Sequence, residues 1–535
     1  MPTPKFRFYA FEQDAFLEEY EALHRSNVQY FRQYLIDSSA SLVIEETHYF
    51  DRDFLSEFSA FYSVSAKTIP NFCKRLHLFK SAVSEETFWQ AVSGKKNEID
   101  ILQSNYLGFI VLRPLERAPF GRTVLKWYDV NKDNRNTECS RPYRAHIAGI
   151  KLTVTGLAWQ QQDECVSTCA TVSLWSLLHS SAFDDFHQVP TTAQITQFAH
   201  SAIPNGRMTF PSGGLTMEQI GEAIKSYGLS PCILTGDLDD SLLRSQTTFS
   251  KEKLANNLAS FLRSGYPVLL FGFQTEKDSI GNRDSPMHAV CAVGFRDGIV
   301  LKQETEERWV WQDSELKTIY IHDDNLGPSV RFEIIEEEDS EDGCSYIKPV
   351  PPKYSTGPDI FSNIGRFYPS YLVAAVHQEL RSKPETIIRT GSEIVDELCN
   401  FLEVELSEES SNSELVNKLK FILDRKLVLS TRFIKLTRFL GRELGRFFDG
   451  TDNELLGIVR KRLIEGVDPM SLYLGVIRIG IGNTPIIDIL CDTTDPRLKP
   501  FCHMVYHPFV SALTEKYCET YSRDLGPLVQ ANRNL

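Results

Sequence analysis

The polar and apolar positions of residues 159–179 predict a helix that begins at a cysteine. From Cys169 onward, apolar side chains recur at helical steps, at Val172, Leu174, Trp175, Leu177 and Leu178. This spacing places them on one buried face of a helix about three turns long. Thr168 precedes the helix and is predicted to cap it, because its hydroxyl can accept hydrogen bonds from the free amides of the first turn.

The patterns on either side of this stretch predict further helices and strands. Helical spacing extends over residues 11–35, 53–61 and 85–92, and residues 105–115 and 145–157 are strand-like. After the cysteine helix, residues 192–202 and 251–263 are helical in pattern, and residues 213–231 predict a glycine turn, a capped helix and a glycine stop. Residues 268–273, 288–294 and 318–323 are strand-like. The last two strands follow each other along the chain, so we expect them to pair as neighbours.

Changes of pattern divide the chain into three predicted domains. Residues 1–148 predict an N-terminal α+β domain without a chemical motif, which we expect to be a scaffold or a partner-binding domain. Residues 149–384 form a middle domain with the cysteine helix. Beyond it, amphipathic helices and a pair of strands predict a C-terminal α+β domain, residues 385–535. A chain of 535 residues is long enough for about two to four domains.

Composition and charge restrict the function classes. The formal net charge of -14 argues against a nucleic-acid binder or an anionic-membrane binder. The first residues lack the apolar core of a signal peptide, and no apolar run approaches the length of a membrane span. The 11 cysteines have no regular spacing, which predicts reduced thiols. We therefore expect a cytoplasmic protein that binds no nucleic acid and no membrane.

Residue types in the middle domain predict thiol chemistry. A thiol at the start of a helix faces the positive end of the helix dipole and unpaired N–H groups, which favour its thiolate form. Cys169 is therefore the candidate nucleophile. His288, which begins one strand, is the candidate base, and Asp323, which ends the next strand, is the candidate residue that orients it. Gln162 could share oxyanion stabilisation with the backbone amide of Cys169.

These residues and their order resemble those of the papain-like superfamily of cysteine peptidases. In that superfamily a glutamine precedes the cysteine by about six residues, the cysteine begins the central helix, and the histidine begins a strand of the form H-A-V-x-x-V-G. Residues 288–294, HAVCAVG, match this form in full, about 120 residues after Cys169. Two further features are similar to those of the bacteriocin-processing-peptidase-like bacterial branch. One is the sequence YPV at residues 266–268, and the other is the set of short sequences QQD, CA and LW within residues 161–175. The resemblance covers about residues 150–345.

Departures from the superfamily pattern leave the oxyanion donor and the nucleophile open to alternatives. Gln162 lies one residue further from Cys169 than the usual spacing, so either Gln161 or Gln162 could hold the oxyanion role. The residue after Cys169 is alanine, where many relatives have tryptophan or glycine. Cys165 is a rival nucleophile, because the bacteriocin-processing branch has an acid-Cys step like Glu164-Cys165. Cys169 is preferred, since it uses the helix dipole best and leaves room for the glutamine upstream.

The residue that orients the histidine is also ambiguous. Asp323, Asp324 and Asn325 are consecutive, and Asp323 matches the register of the strand-end Asn or Asp of the superfamily best. His322 is adjacent to Asp323, but it alternates to the other face of its strand.

The resemblance implies an α+β protein whose middle domain has a papain-like cysteine peptidase fold, with a helical half and an antiparallel sheet half. It implies hydrolysis of a peptide or isopeptide bond in a protein substrate through Cys169, His288, Asp323 and Gln162, without a metal or an organic cofactor. The same residues could instead perform acyl transfer or deamidation, or the domain could be an inactive binding module. The size of the flanking domains predicts that a separate stimulus or a partner controls the activity.

Overall fold

The computed structural model describes most of the chain. The described residues are 5–10, 15–80, 83–128, 134–184, 188–203, 208–239, 247–275, 286–297, 307–313, 316–337, 344–350, 361, 364–408, 413–447, 453–466, 470–482, 484–495 and 497–531. All statements about the structure refer to these residues.

Helices occur along the whole chain. In chain order they are α1 Ala15–Glu21, α2 Arg25–Asp37, α3 Arg52–Ala60, α4 Glu85–Val92, α5 Lys96–Asn105, α6 Cys169–Leu178, α7 Thr192–Ala202, α8 Met217–Ser226, α9 Lys251–Arg263, α10 Pro384–Glu408, α11 Ser413–Asp424, α12 Leu436–Arg438, α13 Leu444–Phe447, α14 Asn453–Gly466 and α15 Pro508–Tyr521. Short 3-10 turns lie at Tyr62–Val64 and Ser181–Phe183, and a π-helical turn, Phe439–Glu443, joins α12 to α13.

The strands alternate with these helices. In chain order they are β1 Phe6–Ala10, β2 Ala40–Tyr49, β3 Cys73–Lys80, β4 Tyr106–Leu112, β5 Phe120–Leu125, β6 Arg135–Asn136, β7 Arg141–Ile147, β8 Ile150–Gly156, β9 Ser230–Thr235, β10 Leu238–Asp239, β11 Thr247–Thr248, β12 Val268–Gln274, β13 Met287–Arg296, β14 Trp309–Trp311, β15 Thr318–Asp323, β16 Gly327–Glu336, β17 Ser345–Pro349, β18 Phe367–Val376, β19 Leu427–Lys435, β20 Tyr473–Ile481, β21 Thr484–Asp492, β22 Pro500–Val505 and β23 Leu528–Gln530. The fold is therefore α+β, as predicted.

The chain divides into two compact units. Unit 1 consists of residues 1–251, 265–296 and 317–376, and unit 2 of residues 252–264, 297–316 and 377–535. The predicted N-terminal and middle domains thus lie largely in unit 1. Unit 2 holds the predicted C-terminal domain together with residues 252–264, 297–316 and 377–384 of the predicted middle domain.

Unit 1 contains two large sheets. The first has the order β1-β2-β3-β4-β5, with antiparallel neighbours. The second follows the path β12-β13-β15-β16-β17-β18-β9, again antiparallel, and β12 also pairs with β18. Six of its strands therefore form a closed circuit. Helix α6 packs against β13 of this second sheet.

Unit 2 contains one six-stranded sheet with the order β14-β19-β20-β21-β22-β23. Its two edge strands, β14 and β23, run parallel to their neighbours, and the other pairings are antiparallel. The long helix α10 packs on β19 and β20. Strand β14 comes from the segment that joins β13 to β15 along the chain, so this connection belongs to unit 2.

Several predicted elements are confirmed. Helices α4, α7 and α9 have the predicted bounds, and β13 and β15 pair antiparallel, with Cys291 opposite His322. Two predictions are wrong. Residues 15–35 form two helices instead of one, because the chain breaks at residues 22–24, where His24 leaves helical geometry with φ of -128°. Residues 145–157 belong to a hairpin of β7 and β8 instead of one strand.

The hairpin turns at Ala148 and Gly149, which both have positive φ, at 47° and 85°. Two consecutive residues of positive φ suit a tight two-residue turn between antiparallel strands. The glycine was the signal for this turn, since an isolated glycine within an alternating run often marks a break in a strand.

No helix among the described residues is long and apolar enough to cross a membrane.

Candidate active site

Helix α6 begins at Cys169, as predicted, but its first turn is not capped as predicted. Thr168 occupies the N-cap position, yet its hydroxyl makes no capping hydrogen bond and lies 3.3 Å from the hydroxyl of Thr171. The prediction of a hydroxyl cap is therefore wrong. The amide of Cys169, at the first helical position, has no acceptor within the helix and is therefore suited to stabilise an oxyanion.

The helix is buried on all sides. Every residue from Ala170 to Leu178 is buried, so the predicted single apolar face understates the burial. The reason is that polar side chains in the helix find partners inside the protein. Ser173 donates a hydrogen bond to the carbonyl of Ala289 at 3.1 Å, which ties α6 to the residue next to His288. This contact fixes the cysteine helix against the histidine strand.

His288 interacts electrostatically with the Cys169 side chain and lies beside two carboxylates. Its Nε2 is 3.4 Å from Oδ1 of Asp324 and 4.0 Å from Oδ2 of Asp323. Neither approach has hydrogen-bond geometry, so Nε2 contacts the carboxylates electrostatically. The edge of the imidazole packs on the ring of Phe367, with centroids 6.1 Å apart. The structure thus brings the predicted cysteine, histidine and aspartate together.

Asp324, rather than Asp323, lies nearest to the histidine. Oδ1 of Asp323 accepts hydrogen bonds from the amides of Asn325 and Leu326, at 2.9 and 3.1 Å, and thereby closes the turn after β15. Asp323, the predicted orienting residue, therefore stays a candidate beside Asp324; the pairing of β15 with β16 is irregular between Ile321 and Asp323. Both carboxylates are buried, and Oδ2 of Asp324 has no hydrogen-bond partner among the described residues.

The charges around the imidazole favour its protonated form. Burial acts to lower the pKa of His288, but the carboxylate of Asp324, the Cys169 side chain and the carboxylate of Asp323 together raise it to about 10. Burial also raises the pKa of Asp324 to about 7, an effect that the positive charge of His288 opposes. An imidazolium next to a thiol stabilises negative charge on the sulfur.

Asp324→Asn should lower the pH at which the His288 imidazolium loses its proton. The removed carboxylate is the strongest influence that raises the pKa of His288, and a nearby opposite charge typically changes a pKa by about 1–3 units. Loss of this negative charge removes a stabilising partner of the imidazolium, so the proton leaves at lower pH. Asp323→Asn should cause a smaller shift, because Asp323 raises the pKa of His288 less than Asp324 does. NMR titration of the His288 imidazole in both variants tests this, and equal shifts would refute the ranking.

The three consecutive glutamines before the helix point to different partners. Gln160 donates to Glu57 at 2.8 Å. The amide of Gln161 is bonded at both ends, since its Nε2 donates to Nδ1 of His24 at 3.0 Å and its Oε1 accepts from a backbone amide. Nε2 of Gln162 donates to Oδ1 of Asn325 at 3.1 Å, which leaves its second amide proton. Gln162 is therefore the glutamine that suits an oxyanion donor.

The two candidate thiols differ in their surroundings. Burial and the carboxylates of Asp163 and Glu164 raise the pKa of the Cys165 thiol. Cys169 instead adjoins the imidazole of His288. All eleven cysteines are free, and only Cys165, Cys169 and Cys518 are partly exposed. Because a raised pKa leaves less thiolate at neutral pH, this comparison favours Cys169 as the reactive thiol.

A cavity of about 540 Å³ opens beside Cys169. This volume is in the range of about 300–1,000 Å³ that is usual for ligand sites. Its lining comes from the start of α2 and the segment before it, the loop before α6, the turn before α8 and the turn after β15: Leu23, His24, Arg25, Ser26, Asn27, Arg117, Gln161, Gln162, Asp163, Glu164, Thr168, Cys169, Ser212, Gly213, Gly214 and Asn325. The cavity thus exposes both Cys169 and Gln162 to a bound molecule.

The same cluster contains three potential metal ligands. Ligand atoms of His288, Asp323 and Asp324 lie within 4.8 Å of one another. One imidazole and two carboxylates could bind a divalent metal, with a fourth position left for water. A metal there would have to displace the proton that the neighbouring carboxylates favour on the imidazole of His288. The electrostatics therefore favour an imidazole that serves the thiol.

No known family model matches the chain, and no curated protein matches it.

Proposed function

We propose that the protein is a papain-like cysteine peptidase that hydrolyses a peptide or isopeptide bond in a protein substrate. The observation that carries the proposal is that Cys169, which lines the cavity, interacts with His288, whose Nε2 in turn lies 3.4 Å from Asp324, all within unit 1. A cysteine at the start of a buried helix, packed on a strand that carries the histidine, is the arrangement on which the sequence resemblance rests. The antiparallel sheet next to α6 is consistent with the sheet half of such a fold.

The proposed reaction starts with attack of the Cys169 thiolate on the carbonyl carbon. The amide of Cys169 and the free amide proton of Gln162 stabilise the oxyanion. His288 then donates its proton to the leaving amine, so the C–N bond breaks and an acyl-enzyme forms. Nε2 faces the carboxylates, which leaves Nδ1 for the sulfur. In the second half, His288 takes a proton from water, the hydroxide displaces the thiolate, and a carboxylic acid leaves.

Two other functions would use the same residues or the same fold. An acyltransferase or deamidase would form the same acyl-enzyme, and they would differ from a peptidase in the attacking nucleophile or the scissile amide. An inactive binding module would keep the cavity but not the chemistry. The protonated state favoured for His288 argues for chemistry, because a binding module has no need of a charged imidazole beside a thiol.

The test is incubation of the protein with a mixture of unmodified proteins in H₂¹⁸O, followed by mass spectrometry, with Cys169→Ala as control. A peptidase yields new N-termini and ¹⁸O in the matching C-termini. A deamidase yields glutamate or aspartate with ¹⁸O at intact chains, and an acyltransferase yields new amide links without ¹⁸O. No difference between the wild type and Cys169→Ala would contradict all three activities and favour the binding module.

We expect unit 2 to control the site through the chain itself. Residues 297–316, which join the histidine strand β13 to the aspartate strand β15, belong to unit 2, where β14 pairs with β19. Within unit 2, the indole of Trp309 in this segment donates to Asp396 of α10 at 2.7 Å. A change in unit 2 can therefore act on the strands that carry His288 and Asp323.

Trp309→Phe should change the rate at which iodoacetamide labels Cys169 by about 2–30-fold, the range typical of coupling between distant sites. The substitution removes the hydrogen bond to Asp396 and keeps an aromatic ring. The matched control is Glu405→Gln, which breaks the 2.5 Å ion pair of Glu405 with Lys516 elsewhere on α10. If both variants label Cys169 at the wild-type rate, control through this segment is excluded.

A further inference from the structure

A buried ion pair from the N-terminal part of unit 1 contacts the loop that carries the proposed oxyanion donor. The pair joins Nη1 of Arg113, directly after β4, to Oε2 of Glu57 on α3, at 3.0 Å. Both side chains are 1% exposed. Two charges so far from water require a full set of partners. The other hydrogen bonds of the two side chains show which segment of the chain the pair holds in place.

Glu57 binds both ends of the loop that precedes the cysteine helix. Its Oε1 accepts from Nε2 of Gln160 at 2.8 Å and from the hydroxyl of Ser167 at 2.5 Å. It also accepts from the hydroxyl of Thr192, at the start of α7, at 2.6 Å. Gln160 lies two residues before Gln162, and Ser167 lies two residues before Cys169. One carboxylate oxygen therefore closes the loop of residues 160–167.

Arg113 binds the same loop at its backbone. Its Nη2 donates to the carbonyl of Gln161 at 2.8 Å, directly before Gln162, and its Nε donates to the carbonyl of Ala118 at 3.0 Å. Within the loop, the amide of Asp163 donates to the carbonyl of Ser167 at 2.8 Å. The backbone is thus held on both sides of Gln162. The hydrogen bonds of Glu57 and Arg113 described here do not go to Cys169 or His288. Any effect of these two residues on the chemistry would therefore act through the loop.

We infer that Glu57 and Arg113 are positioning residues for the oxyanion donor, so that the N-terminal part of unit 1 completes the site. This inference rests on the proposed function. Glu57 fixes the loop ends and Arg113 fixes the peptide before Gln162, and together they aim the Gln162 amide at the cavity beside Cys169. The N-terminal segment, in which the sequence has no chemical motif, thereby supplies a part of the proposed active site.

The test separates two reactions of the same thiol. Iodoacetamide alkylates a thiolate at a tetrahedral carbon and forms no oxyanion, whereas a peptidyl thioester or amide must pass through one. Glu57→Gln is expected to slow acylation of Cys169 by about 10–100-fold, a smaller loss than the complete removal of an oxyanion donor causes. The alkylation rate should stay within about 3-fold of the wild type, since the thiol and His288 are not touched.

A double-mutant cycle identifies the residue through which Glu57 acts. Gln162→Ala should slow acylation by about 10²–10³-fold. In the Gln162→Ala background, adding Glu57→Gln should cause little further loss, because the group that Glu57 positions is already gone. If the two losses multiply, Glu57 does not act through Gln162 and the inference is overturned.

Asp51→Asn is the matched control for lost stability. Asp51 is also a buried carboxylate of the α3 region and pairs with Arg122 at 2.7 Å, but it accepts from Asp53 and Phe54 and not from the loop. Its substitution should leave the ratio of acylation to alkylation unchanged, whatever it does to the melting temperature. An equal change of this ratio in Asp51→Asn and Glu57→Gln would overturn the inference.

Ser167→Ala serves if Glu57→Gln does not fold, because it removes one hydroxyl donor and leaves the ion pair intact. Like Glu57→Gln, it should lower the rate of acylation of Cys169 and leave the rate of alkylation unchanged. An unchanged ratio of acylation to alkylation would overturn the inference. Failure of the proposed function would give a different result. In that case wild-type Cys169 is not acylated by any peptidyl thioester, although it is alkylated, and the inference falls with it.

Discussion

Cys169→Ala is expected to lower the rate of substrate hydrolysis by about 10⁴-fold or more, as the removal of a catalytic nucleophile does in other hydrolases. The reason is that no other thiol lies beside His288 among the described residues. Cys165→Ala should leave the rate within about 3-fold of the wild type, because burial and neighbouring carboxylates raise the pKa of that thiol. The measurement is the rate of formation of the new N-termini identified in the mass-spectrometric test.

The two cysteines are good controls for each other. Both are partly exposed, and they lie four residues apart. If Cys165→Ala abolished hydrolysis and Cys169→Ala did not, the nucleophile would be Cys165, and the register of the site would move by about one helical turn. If neither mattered, the site would not be a thiol hydrolase.

His288→Ala is expected to lower the rate of hydrolysis by about 10²–10⁴-fold, the usual contribution of a general acid–base residue. The imidazole would no longer protonate the leaving amine or activate water. The substitution also leaves the buried carboxylates of Asp323 and Asp324 next to each other without the cation, so we expect both to bind protons more readily. Steady-state kinetics at several pH values measure the loss.

His146→Ala is the control for this prediction. His146 lies on β7 in unit 1 and its side chain is exposed, so its loss should leave the kinetics unchanged. A His288→Ala enzyme with nearly wild-type rates, in a folded protein, would mean that the proximity of His288 to Cys169 has no catalytic consequence.

Local pattern predicts the elements that carry the site. The apolar spacing after Cys169 identified α6, and the apolar run after His288 identified β13, because both are continuous apolar stretches about as long as one element. The order of the strands then predicted that β13 and β15 pair. These are local or nearest-neighbour properties of the chain, which is why the sequence contains them.

The failed predictions concern details that depend on contacts from elsewhere. The break between α1 and α2 coincides with His24, whose ring bonds the carbonyl of Glu116 and the amide of Gln161. That His288 lies nearer to Asp324 than to Asp323 is a property of the turn after β15, where the strand pairing is irregular. Neither depends on hydrophobic period, and a long amphipathic pattern does not reveal a break that distant partners stabilise.

The role inferred for Glu57 and Arg113 is the feature that the sequence predicts least. A glutamate within a short amphipathic helix and an arginine after an apolar strand are ordinary surface residues by pattern. Both are buried here because each finds its partners about 50 to 135 residues away along the chain, at Gln161, Ser167 and Thr192. Such a network is visible only once the fold has brought those segments together.

The central claim is that Cys169 and His288 form a reactive thiolate–imidazolium pair, and alkylation tests it most directly. The wild type and His288→Ala are labelled with an iodoacetamide-type probe across pH, and the labelled cysteines are identified by peptide mapping. We predict that Cys169 reacts faster than Cys165 and Cys518 at and below neutral pH, and that this advantage is lost in His288→Ala. Cys165 and Cys518 act as internal references, because burial and nearby carboxylates raise the pKa of both thiols. If Cys169 reacts no faster than these two at any pH, the pair does not exist and the binding module is the better account.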